Sequence, residues 1–88
     1  MLQKVKNALC DMGHEDAIIF ENPDYAEAVV GVTDEGRVIY DFDMMVKHLT
    51  AFHGMSEIEA VDFIDYNTIR ALPYAGENAP IILHKLML

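Results

Sequence analysis

The sequence predicts an α+β fold: a small antiparallel sheet of about four strands with helices packed on one face, in the order α-β-β-β-α-α-β. Three features carry that expectation. Apolar residues recur at helical spacing in residues 2–12 and 42–52, two β-branched runs are joined by Asp34-Glu35-Gly36, and Ser56-Glu57-Ile58-Glu59 has the form of a capping box. At 88 residues, with 52% hydrophobic and 24% charged positions, the chain is expected to make a single domain, 1–88, with a thin core.

Leu2, Val5, Leu9 and Met12 form one apolar stripe, and Gly13 is placed to end that helix. Ala17-Ile18-Ile19-Phe20 reads as a short strand, halted by Glu21-Asn22-Pro23-Asp24. Residues 28–33 and 37–40 read as a hairpin whose three-residue loop carries a glycine; Gly31 implies either a bulge or a closely packed neighbour. Phe42, Met45, Val46, Leu49 and Phe52 share a helical face, capped by Asp41 and ended near Gly54. A second helix begins at Ser56, with Ile58, Val61, Ile64 and Phe63 as its inner face. It is expected to bend near Asn67, resume through residues 68–72 and stop before Pro73. A loop follows, and Ile81-Ile82-Leu83-His84 reads as the last strand.

Composition narrows the function. Cys10 is the single cysteine, so no internal disulfide forms, and a lone thiol suits a reducing compartment. No apolar run reaches the ~18 residues that span a bilayer, and the opening residues lack a signal core. A cytoplasmic location is the expectation. Fifteen acidic against six basic residues give a net charge of −9, which opposes direct binding to a phosphate backbone and favours a basic protein partner. The acid is clustered: seven carboxylates and no lysine or arginine fall in residues 14–36, and four in residues 56–66. Such clusters either solvate a small domain or form a negative face that attracts a basic surface.

Few residues suggest chemistry. Cys10 and His14 have the separation of two zinc ligands, with His48, His53 and His84 as further donors, but the spacing forms no dense motif. Asp41 and Asp43 are explained by capping a helix better than by holding magnesium. His48 and His53, five apart, are expected to diverge and to be exposed. The hairpin of helices resembles a DNA-reading helix-turn-helix only in outline, since Glu57 and Glu59 open the helix that would meet phosphate. There is no phosphate loop, metalloprotease helix or serine elbow, and the expectation is a protein without enzymatic activity or cofactor. In Asp65-Tyr66-Asn67-Thr68-Ile69-Arg70, Asn67 and Thr68 could cap a bend with Arg70 tied to Asp65, or Tyr66, Arg70 and Tyr74 could anchor an interface.

The stretches Gly36-Arg37-Val38-Ile39-Tyr40-Asp41-Phe42-Asp43, Glu59-Ala60-Val61, Asp65 to Tyr74 and Ala79-Pro80-Ile81-Ile82 resemble a family of small acidic proteins of unknown function from Firmicutes, their phages and mobile elements. The likeness implies no activity. It implies a setting in which small acidic proteins include anti-CRISPR inhibitors that occupy the basic surfaces of nucleic-acid effectors. The expected function is accordingly an acidic interaction protein, a phage-type inhibitor of nucleic-acid machinery. Glu57, Glu59, Asp62, Asp65, Tyr66 and Arg70, with Asp34 and Glu35, are the candidate partner-binding residues. A zinc-stabilised protein and a homodimeric structural module are the alternatives.

Overall fold

Leu2–Asp11 forms helix α1, with Val5 and Leu9 buried on the stripe that the spacing predicts. The computed structural model describes residues 1–88. After α1 the chain departs from expectation, because residues 17–20 are in no ladder. The Phe20 amide donates instead to the Tyr40 hydroxyl at 3.0 Å, and a side chain takes the place of a neighbouring strand. Asp24 Oδ1 accepts from the Ala26 amide at 3.0 Å, which closes a turn into a short 3₁₀ segment, Ala26–Ala28.

Strands β1, Val29–Val32, and β2, Val38–Asp41, make the predicted antiparallel hairpin. Its ladder slips by one residue between Val29 and Gly31, so the residue between them bulges. A Cβ on Gly31 would meet nothing within 4 Å, which leaves the bulge and not a close neighbour as the explanation for that glycine. Gly36, at φ +91°, closes the turn and lies so near His14 Nδ1 that a Cβ there would be 2.9 Å from it.

Helix α2, Phe42–Phe52, follows β2 without a loop, and Asp41 Oδ1 caps it by accepting from the Met44 amide at 3.1 Å. Helix α3, Glu57–Phe63, opens on the expected capping box between Ser56 and Glu59. The chain then widens into a π turn, Ile64–Thr68, and tightens into a 3₁₀ segment, Ile69–Ala75. Regular α geometry is lost around Asn67, where the sequence predicts an interruption, but the coil runs through Pro73 instead of stopping before it. A 3₁₀ path can take up a fixed φ where a regular α-helix would clash.

Strand β3, Ile81–Leu83, pairs with β2 in parallel, with Ile39 opposite Ile81. The sheet therefore has three strands in the order β1-β2-β3 and is mixed, not four-stranded and antiparallel. The helices between β2 and β3 supply the long crossover that parallel strands need and return the chain to the starting end of β2. The α+β class holds. Val38 and Tyr40 point into a single core with Val5 and Leu9 of α1, Met45 and Leu49 of α2, and Ala60 and Ile64 at and just beyond α3. Burying a side chain such as Leu49 or Ile64 contributes about 1.5–3 kcal/mol. No helix is long and apolar enough to cross a membrane.

Candidate docking groove

The largest hollow is a groove of about 630 Å³ between α2 and α3. One face of α2 supplies Phe42, Val46 and Thr50, with Asp43 and Lys47 beside them, and α3 supplies Ile58, Val61, Glu57 and Asp62. These positions recur at steps of four, as one helical face requires. Its apolar lining is Phe42, Val46, Ile58 and Val61, and its charged lining is Asp43, Glu57, Asp62 and Lys47. The groove exists because α3 meets the core through Ala60 and Ile64, while Ile58, expected inside, is 77% exposed. The small Ala60 brings the helix close at one turn and leaves the turn before it standing clear.

The candidate residues divide between separate places. Glu57 and Asp62 line the groove, and Asp62 also borders a neighbouring hollow with Glu59 and Tyr66. Glu59 is committed to the capping box, whose Ser56 amide and hydroxyl hold its carboxyl below the usual range. Asp65 is exposed and makes no ion pair with Arg70. The Arg70 guanidinium lies instead 5.3 Å over the Tyr66 ring, a geometry that neither sequence reading included. The Asn67 side-chain Nδ2 donates to the Phe63 carbonyl at 3.2 Å, and Thr68 is buried against the Tyr25 hydroxyl at 3.4 Å. Asp34 and Glu35 are exposed at the hairpin tip, where Glu35 faces a small cleft with His14 and Asp16. That cleft shares no residue with the α2–α3 groove, so the two acidic clusters line different depressions.

Cys10 is exposed, with its thiol 3.8 Å from Glu15 Oε2, while the His14 ring packs at Gly36. No three His, Cys, Asp or Glu side chains are gathered where they could hold a metal ion. His53 is exposed as expected, but His48 is partly buried and the two rings do not diverge. His48 pairs with Glu27, lies edge-on to Tyr25 at 5.5 Å and sits 5.3 Å from His53. His53 lies beyond the last turn of α2, so helical spacing does not separate the two rings. Position 48, three after Met45 and four before Phe52, at the edge of the apolar stripe, was the available sign that it turns inward.

One buried charge went unforeseen in its second contact. Asp41 is 1% exposed; beyond its cap, its other oxygen meets the Lys85 ammonium at 3.2 Å. Burial alone would raise its pKa, but the Met44 amide, the Lys85 ammonium and the Asp43 amide outweigh that and hold it below the usual value. The next residue, Phe42, lies against the His84 ring at 4.6 Å, so the segment after β3 rests at one end of the groove. Comparison with protein-family models, curated proteins and solved structures found no match for the chain.

Proposed function

We propose that this protein is a non-enzymatic interaction domain whose α2–α3 groove docks a basic, amphipathic segment of a partner protein. One observation carries the reading: Phe42, Val46, Ile58 and Val61 line one groove together with three carboxylates and one lysine. An apolar helix face supplies affinity in such a groove, and cations beside it meet the carboxylates, which steers encounter and fixes register. The acids outside the groove, Glu59 and Asp65 among them, extend a field of the same sign. In its specific form the docked segment is one that otherwise holds phosphate, and the protein acts as an anti-CRISPR-like inhibitor of nucleic-acid machinery.

A labelled amphipathic peptide of lysines and leucines, compared with its glutamate counterpart, tests the groove by fluorescence anisotropy. The lysine peptide is expected to bind, and Glu57→Lys/Asp62→Lys to weaken it roughly ten-fold or more. Asp34→Lys/Glu35→Lys, an equal charge change at the hairpin tip outside the groove, is expected to matter much less. Equal losses from the two pairs, or equal binding of the two peptides, would overturn the reading.

A further inference from the structure

We propose that the channel between α1 and the free edge of β1 takes up an extended, acid-bearing segment of a partner protein, which joins the sheet as an added strand. This surface shares no residue with the α2–α3 groove and does not rest on the reading given for it. The channel holds about 250 Å³. Val5, Ala8 and Leu9 of α1, with Met12 just beyond it, line one side, and Val29, Gly31 and Val32 line the other. The bulge builds that second wall. Val29 and Val32 are three apart, yet they stand opposite Tyr40 and Val38, which both point into the core, because the slip in the ladder turns both valines to one face.

Two observations name the occupant. The first is the backbone of Val32, in the outer strand of the sheet. The Thr33 amide donates to the Arg37 carbonyl at 2.8 Å, so by the antiparallel alternation Val32, opposite Val38, turns its own N–H and C=O away from β2. The backbone of an extended chain lying alongside completes such a pair, and its alternate side chains then enter the apolar channel. The second is Lys4, the single charged residue of the lining. It is exposed and makes no ion pair, and no carboxylate lines the channel, although the chain holds fifteen acidic residues against six basic. A carboxylate on the added strand supplies the missing partner. A second copy of the chain offers less, since it brings another net charge of −9 to the contact.

The test uses a labelled peptide of alternating valine and threonine that ends in two aspartates, followed by fluorescence anisotropy. It is expected to bind the native chain roughly five-fold more tightly than its counterpart ending in two lysines. Lys4→Glu, at an exposed position without an ion pair, is expected to reverse that preference. Methylating alternate peptide nitrogens, which removes the donors of an added strand, should weaken binding roughly ten-fold or more. The methyl resonances of Val29 and Val32 are expected to shift as peptide is added, while those of Val46 and Val61 stay in place. No binding, equal affinities for the two peptide endings, insensitivity to methylation, or shifts at Val46 and Val61 would each overturn the proposal. Val29 and Val32 shifts that grow with the concentration of the protein alone would also overturn it, by assigning the edge to a second copy.

Discussion

Replacing Asp41 with alanine removes two interactions made by one buried carboxylate, and the structure assigns a size to each. Loss of an N-cap side chain costs about 1 kcal/mol, and here the Met44 amide at 3.1 Å loses its acceptor. The pair with Lys85 contributes less than about 1 kcal/mol, because the lysine is well solvated and remains in water when its partner is gone. Together they predict a loss of between about 1 and 2 kcal/mol, or about 4–16 °C in Tm for a domain of this size. Asp41→Asn keeps a competent cap and gives up the charge, so it should cost about half as much. The sign of the pH dependence follows from the lowered pKa. Asp41 stabilises the fold fully above its unfolded value of 3.8, and that contribution disappears as pH falls through the lower folded value. Denaturant titrations followed by circular dichroism should show the gap between the native chain and Asp41→Asn widest at pH 7 and narrowing below about pH 3.8. An alanine variant within about 0.5 kcal/mol of the native chain would refute the capping argument, and a gap independent of pH would refute the ion pair.

Two further predictions concern the core and the hairpin. Tyr40→Phe leaves the part-buried Phe20 amide without its acceptor and should cost about 1–2 kcal/mol by chemical denaturation. Burial holds the Tyr25 and Tyr40 hydroxyls above the usual 10.0, so their stabilisation is complete below that pH and is lost above it. Absorbance at about 295 nm should show both ionising late in the native chain and Tyr40→Phe removing one late step. Gly36→Ala places a methyl group against His14 at a positive φ and should cost about 1–2 kcal/mol, whereas Gly31→Ala, in open space, should stay within about 0.5 kcal/mol of native. Equal effects at the two glycines would contradict the turn geometry described for β1 and β2.

The division of the candidate site follows the same logic of local against distant contacts. Glu57 and Asp62 could be placed near each other from sequence because both fall within the one short helix α3, although five residues turn them apart around its axis. Their separation from Asp34 and Glu35 could not, because it depends on where the hairpin tip lies relative to the helical layer. His48 and Glu27 meet across 21 positions, and Lys85 reaches Asp41 across the whole crossover. Ile58 carries the same apolar signal as Ile64, and only the docking of α3 through Ala60 decides which of the two is buried.

The amino-acid order alone determined α1, the hairpin of β1 and β2, the Asp41 cap, the Ser56 capping box and the interruption of regular α-helix around Asn67. Each is settled by propensity, periodicity or side-chain hydrogen bonds within a few residues, and such interactions are written in the local string. The tertiary structure decided that β3 joins β2 in parallel, that residues 17–20 stay out of the sheet, and that α2 and α3 leave an acid-lined groove between them. Those outcomes arise from which surfaces bury one another across distant parts of the chain, and burial is a property of the assembled layers, not of any single segment.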